Sequence, residues 1–428
     1  MIGFAGLSHL GIVSSVAAAA KGFEVAAFDP DRVLTESLNC SRMPIFEPGL
    51  EAQLDESRTR IRFTSDPAEL ASCLVLFISV DVPTDEDNQS DPSPIQGLID
   101  AVLGELPTEC ILVILSQVPP GFTRGLACTI PGDYSSRLFY QVETLIFGQA
   151  VERALAPERV IVGCRDPKAA LPEPYSTYLK AFDCPILPMR YESAELSKIS
   201  INVCLVASIG ATNMMAELCE GIGADWSEIV PALRLDRRIG RHAYLAPGLG
   251  IAGGNLERDL IAVKKLASEA GADAGLVDAW LTNSCHRRDW ALRAIHGEVI
   301  SGKSKPVVAI WGLTYKPDTA STKNSPALAL IEGLRSFQVR AYDPKAELGG
   351  DRPSFVRTSS AMEACNGADV LVIMTPWAEF ADIELKDVAR AMAGRVIVDP
   401  FGVVDREASS HEGFRHFGLG WPVEADCG

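Results

Sequence analysis

The sequence predicts an α/β protein: two doubly wound, Rossmann-like domains joined by a long central helix. Three observations predict it. A strand, a glycine turn, a helix and a second strand follow one another from the first residue. The same alternation of short apolar strands resumes after residue 306. Between the two lies a run, 191–225, whose apolar residues recur at helical spacing.

The opening segment, MIGFAGLSHLGIVSSVAAAAKGFEVAAFDPD, is a βαβ unit. A short strand ends at Ala5, an Ala/Val-rich helix runs to about Lys21, Gly22 breaks it, and FEVAAF leads to Asp29. Gly6, Ser8 and Gly11 fit the spacing G-x-G-x-x-G with serine in the middle seat. That seat lets backbone approach a pyrophosphate at a helix N-terminus, so serine predicts a somewhat looser fit. Asp29 closes the second strand, where a carboxylate binds both hydroxyls of an adenosine ribose; the expected cofactor is NAD rather than NADP. The glycines alone would equally suit a turn packed for its own sake. Both strands, the helix and Asp29 together carry the dinucleotide reading.

CLVLFISV, CILVILS and RVIVGC read as further buried parallel strands. The loops DVPTD (81–85) and SQVPPGFT (116–123) should then lie at the cofactor edge of the sheet. In the helix 191–225, Lys198 and Asn202 are four residues apart and share a face too apolar to be freely solvated, which suits a cleft. The turn GIAGGNLERDL and a helix to about residue 297 follow. SGKSKP reads as a linker, and VVAIWGL, VRAYDP, DVLVIMT and RVIVDP supply the strands of a smaller second α/β domain. The expected division is 1–190 for the cofactor, 191–300 for the central helical part and 301–428 for the C-terminal domain.

Composition narrows the partners. The chain has 428 residues, 47% hydrophobic and 22% charged, with a net charge of −17. That balance argues against nucleic acid and acidic membrane surfaces, but not against a small anion in a cationic pocket. Eleven cysteines are scattered without CxxC or zinc-like spacing, so no metal is expected and a reducing cytoplasm is. The first residues lack the basic region of a signal peptide, and no apolar run reads as a membrane span.

Several segments together resemble the UDP-glucose/GDP-mannose 6-dehydrogenase family, in order and over nearly the whole chain. They are LNCSRMPIFEPGLEAQL, SQVPPGFT, VETLIFGQA, AELSKISINVCLVASI, RIGRHAYLAPGLGIAGGNLERDL, GLTYKPDTASTKNSPALALI, TPWAEF and VIVDPFG. The resemblance implies oxidation of a nucleotide-sugar alcohol by NAD, twice over, through a cysteine thiohemiacetal and thioester. It also implies a homodimer formed through the central helix. In this sequence the cysteine position is Asn255, and an amide cannot form a thioester. Other family positions also differ: Phe147, Gln117, Arg258, Lys323 and Phe401 stand where the family has glutamate, threonine, lysine, arginine and arginine.

The resemblance carries these roles onto the matching residues. Glu143, Lys198, Asn202 and Asp259 are the catalytic set, with Asn255 in the cysteine's place. Ser116 and Lys323 join Gly6, Ser8, Gly11 and Asp29 on the cofactor side. Arg238, Tyr244, Leu245, Gly250, Lys316 and Phe401 are substrate contacts, Arg238 toward a neighbouring subunit. Such a set supports proton transfer by Lys198 or by Asp259 through a water, with Asn202 stabilising the developing oxygen charge. Without the thiol, two outcomes stay open: a two-electron dehydrogenase, or a redox-neutral epimerase in which Glu143 or Lys198 moves a proton. A non-catalytic nucleotide-binding relative is the third. The substrate is a nucleotide sugar, or a nucleotide or nucleoside whose own sugar reacts. Asn255 either orients substrate or a water, or simply caps its own turn.

Overall fold

The computed structural model describes residues 1–82, 91–298, 306–348 and 355–422. Most of the DVPTD loop and of the SGKSKP linker lies outside the described residues. By packing, the chain forms two compact units, Met1–Ile201 and Asn202–Gly428.

The first unit is an eight-stranded sheet: β1 (Ile2–Ala5), β2 (Val25–Phe28), β3 (Ile61–Thr64), β4 (Val75–Ile78), β5 (Ile111–Ile114), β6 (Leu138–Gln141), β7 (Val160–Cys164) and β8 (Ile186–Arg190). The spatial order is β3-β2-β1-β4-β5-β6-β7-β8. The chain order therefore reverses between β1 and β4, which opens a crevice beyond their C-terminal ends. Both faces are covered. Phe4, Val75 and Phe77 point into one core, while Ala5, Leu76 and Ile78 point into the other. Successive residues thus face opposite layers, which is why these strands read as unbroken apolar runs.

One expectation fails here. RVIVGC is a strand, but β7 pairs antiparallel with β6, while β8 runs parallel to β7. An apolar run specifies a buried strand and says nothing of its direction.

The second unit repeats the architecture with β9 (Val307–Trp311), β10 (Gln338–Tyr342), β11 (Val356–Arg357), β12 (Val370–Ile373), β13 (Val396–Val398) and β14 (Arg415–Phe417). Their order is β11-β10-β9-β12-β13-β14 with every described pair parallel. Asp343, at the end of β10, accepts from the backbone N–H groups of Leu313 and Thr314 at 2.7 and 3.0 Å. Asp29 does the same for Leu7 in the first unit at 2.8 Å, so each sheet fixes its first turn with an aspartate from the second strand of its βαβ unit.

The central helix spans Tyr191–Ile222, ending where Gly223 takes φ +78°. It is long and apolar enough to cross a membrane by length and composition, contrary to the expectation from the sequence. Its polar residues nonetheless bond within the fold: Glu195 to loop backbone, Asn213 to Gly248, and Glu220 to Arg287, Trp290 and Gly420. The single helix expected to reach residue 297 is three: Asn255–Ala270, Gly275–Arg288 and Trp290–Glu298. Gly271, at φ +67°, ends the first of them.

Candidate active site

The first glycine turn is dictated by packing. A Cβ on Gly11 would sit 1.8 Å from the Gly6 carbonyl oxygen, and Gly6 itself has φ +93°. No larger residue fits either position without moving backbone. The helix His9–Ala20 starts within this turn with no side-chain cap hydrogen bond at its N-cap, Ser8. Asp29 accepts from Leu7 and Asp31 through different oxygens, at 2.8 and 2.9 Å, leaving each oxygen a further lone pair for a ribose hydroxyl. Ser8 has a job the sequence did not reveal. Its Oγ accepts from the Asp81 N–H at 2.8 Å and donates to the Ser79 carbonyl at 3.3 Å, tying the turn to the end of β4.

Behind the turn, buried Glu47 meets His9 Nε2 at 3.0 Å and accepts from the Gly148 and Ala150 N–H groups at 3.2 and 2.8 Å. The Phe147 ring lies against the His9 ring, centroids 4.1 Å apart and planes tilted by 32°.

Glu143 and Lys198 meet as an ion pair, Oε2 to Nζ at 3.8 Å, with both side chains mostly buried. Glu143 also accepts from the Leu145 N–H. Ser116 is fully buried, and its Oγ donates to the Val80 carbonyl at 2.6 Å. It therefore fixes the ends of β4 and β5 against each other. Glu195, not anticipated as a site residue, is also fully buried; its signal was an acid inside an apolar helix, three residues before Lys198. Desolvation pushes its carboxyl above the usual range.

In the second unit, Asn202 Nδ2 donates to Asp259 Oδ2 at 2.6 Å, and Arg258 Nε meets Asp259 Oδ1 at 3.2 Å. Asp259 is buried and locks the Asn202 amide in one orientation. Because Lys198 and Asn202 lie one turn apart on one helix, they share its face.

The second glycine turn is as constrained as the first. A Cβ on Gly250, at φ +76°, would lie 2.4 Å from the Ser284 carbonyl oxygen. One on Gly253, at φ +78°, would press on the Tyr315 ring at 3.0 Å. Asn324 clamps the turn, donating to the Gly253 carbonyl at 2.9 Å and to Glu257 at 2.6 Å. The Lys323 side chain lies over Gly254, 3.2 Å from where its Cβ would be. Asn255 is the first residue of the helix Asn255–Ala270 and is exposed, while Gly254 holds the N-cap position. The cap seat is therefore not the asparagine's.

The remaining predicted contacts each have partners of their own. Arg238 is exposed and paired with Asp236 at 2.7 Å. The Tyr244 and Leu245 carbonyls accept from Thr212 Oγ1 and Trp226 Nε1 at 3.0 and 2.8 Å. Gly248 donates to Asn213, a second residue the sequence did not single out. The Lys316 ammonium lies 5.8 Å from the Tyr315 ring centre. Phe401 is partly exposed, its N–H bonded to Asp399 at 3.1 Å.

Three matches span the chain: the NAD binding domain of the UDP-glucose/GDP-mannose dehydrogenase family over residues 1–180, its central domain over 192–284, and its UDP binding domain over 309–406. The UDP-glucose 6-dehydrogenase of Pseudomonas aeruginosa is 31% identical, covering 99% of this chain and 98% of its own length. The chain belongs to the UDP-glucose/GDP-mannose dehydrogenase family. It is an NAD-dependent oxidoreductase. The UDP-glucose 6-dehydrogenase of Rickettsia conorii is 28% identical over 98% of this chain and 99% of that one. A solved UDP-glucose dehydrogenase from Pyrobaculum islandicum superposes with a TM-score of 0.83 at 26% identity, covering 98% of this chain and 97% of that one. The family's cofactor fits the residues present: glycine at 6 and 11 keeps the turn tight, the uncapped start of the helix His9–Ala20 would suit a phosphate, and Asp29 keeps acceptor capacity that would suit a ribose hydroxyl.

Proposed function

We propose that this family member oxidises a sugar alcohol by two-electron chemistry with NAD and stops before an acid is formed. Asn255 carries the reading: it stands where the family resemblance puts the cysteine, and an amide offers no nucleophile for a thioester. NAD, when bound, supplies the hydride acceptor. Lys198 and Glu143, 3.8 Å apart, hold the proton that the alcohol gives up. Asn202, fixed by Asp259, donates to the oxygen that becomes a carbonyl.

The substrate is a nucleotide sugar, with a nucleotide or nucleoside as the variant that Phe401 would favour by stacking. Arg238 and Lys316 answer its negative charge. In this reading 1–190 holds the cofactor, 191–300 carries the sugar-proximal residues, and 301–428 holds the nucleotide. The protein works in the cytoplasm as a homodimer; exposed Met214, Met215, Leu218 and Ile222 on the central helix supply an apolar pairing surface.

The test is stoichiometry. Purified protein with NAD and a panel of nucleotide sugars, nucleotides and nucleosides should give one NADH per substrate consumed and an aldehyde or ketone. Two NADH with an acid product would overturn the reading. A product without net NADH would replace it with epimerisation. NAD binding with no turnover across the panel would leave a non-catalytic relative.

A further inference from the structure

Loop 116–123 leaves the C-terminal end of β5 and turns into the helix Phe122–Thr129. It therefore borders the crevice where this fold receives its dinucleotide. The loop contains Pro119 and Pro120 and reaches its helix through Gly121 at φ +94°, so few of its own backbone groups can hold it. What holds it comes from another element. Glu195 of the central helix accepts from the Gly121 N–H at 2.6 Å and from the Thr123 N–H at 2.8 Å, one carboxylate oxygen to each. The carboxylate is fully buried. On the exposed side, Glu192 pairs with Arg124, Oε2 to Nη2 at 3.1 Å.

A buried carboxylate is costly unless its bonds are made, and these two point at the exposed end of a helix dipole, where a negative charge is favoured. Glu195 also lies three residues before Lys198, so it shares a helical face with the candidate base. The same turn of helix carries the base and fixes the cofactor-side loop. The mechanism has no use for Glu195 as a proton carrier, because both oxygens are engaged by backbone.

We infer that Glu195 is a positioning residue for NAD: through the Gly121 and Thr123 N–H groups it sets the cofactor-side loop relative to the helix that bears Lys198. This rests on the proposed hydride chemistry only for the kinetic half of its consequence; the binding half stands by itself.

The test compares wild type with Glu195→Gln, which keeps the volume but sets an NH2 group against an N–H donor. The primary readout is the NAD dissociation constant, by calorimetry or fluorescence, on protein shown folded by circular dichroism. Glu195→Gln should weaken NAD about 10-fold, the value of one lost bond of this class. Glu192→Gln, at the exposed pair, should leave it within twofold. Where substrate is turned over, KM for NAD should rise with Glu195→Gln while KM for the sugar stays fixed; loss of folded protein alone would move neither. If Glu195→Gln does not fold, Glu195→Asp, which keeps the charge and shortens the reach, is held to the same criterion. A folded variant that binds NAD within twofold of wild type overturns the inference. Absence of turnover in the wild type would overturn the proposed function and leave the binding comparison to decide this one.

Discussion

The two glycine turns of this protein, Gly6–Gly11 and Gly250–Asn255, obey the same steric rule and use their polar residues differently. In the first, a Cβ on Gly11 would come within 1.8 Å of a carbonyl oxygen; in the second, a Cβ on Gly250 would come within 2.4 Å of one. Each turn leads directly into a helix. In the first, the polar residues also serve the turn itself, Ser8 through Asp81 and Asp29 through Leu7. In the second, the residue on display is exposed Asn255, outside the cap seat. The glycines of the second turn are required by Ser284 and Tyr315, not by a thiol. Packing alone therefore accounts for the glycines of either turn, and an intact glycine motif is weak evidence for the chemistry of its apex.

Substitutions can break this contrast at several strengths. The largest effect is expected outside both turns. Lys198→Ala removes the cation paired with Glu143 and should lower turnover about 10²–10³-fold in steady-state NADH assays with the fold intact. Unchanged turnover would mean that the chemistry lies elsewhere and that neither turn serves it. Next come the glycines. Gly11→Ala and Gly250→Ala should each destabilise by about 1–3 kcal/mol, read as a lower unfolding midpoint in denaturant. Only Gly11→Ala should also abolish NAD binding. Equal loss of NAD binding in both would erase the distinction drawn between the turns.

How much of this was legible in the sequence follows from which signals are local. The βαβ unit with Gly6, Gly11 and Asp29 was readable because the turn, helix and second strand lie within one short stretch. The long helix was readable from its period. Edge strands were not: β8 contains Pro188 and Arg190, and β11 and β14 carry Arg357 and Arg415, the charged and proline-bearing residues that keep sheet edges from aggregating and also blur the strand pattern. The direction of β7 was invisible because apolar alternation has no polarity. At the site, the motifs pointed to Glu143, Lys198, Asn202 and Asp259, which pair among themselves, but not to the contacts that brace the surrounding loops. Glu195 with Gly121, Asn324 with Gly253, and Glu47 with His9 are pairings across more than thirty residues of chain, fixed only once the fold is formed.

Asn255→Cys tests the apex directly. The side chain is exposed, so stability should change by no more than about 0.5 kcal/mol. If the rest of the machinery is intact, the variant should yield acid and two NADH per substrate where the parent yields one. Acid from the parent itself would show that the apex never limited the reaction.

The smallest expected effect concerns the other thiols, and it closes a gap in the comparison. A reading that assigns no thiol chemistry to the second turn holds only if no cysteine elsewhere substitutes for it. Burial pushes the Cys73 thiol to about 11 and those of Cys110 and Cys365 to about 12. Since the thiolate is the reactive form, roughly one in 10³ or fewer of these groups is ionised at pH 8, and alkylation should quicken only as pH approaches those values. Cys40, Cys128, Cys204 and Cys285 are exposed and should react with iodoacetamide at pH 8. Mass mapping should therefore find those four modified, the three buried thiols untouched, and turnover unchanged. A loss of turnover that tracks one of the four, prevented when substrate is present, would identify a thiol working at the site from outside the turn, and the contrast between the two glycine turns would lose its chemical meaning.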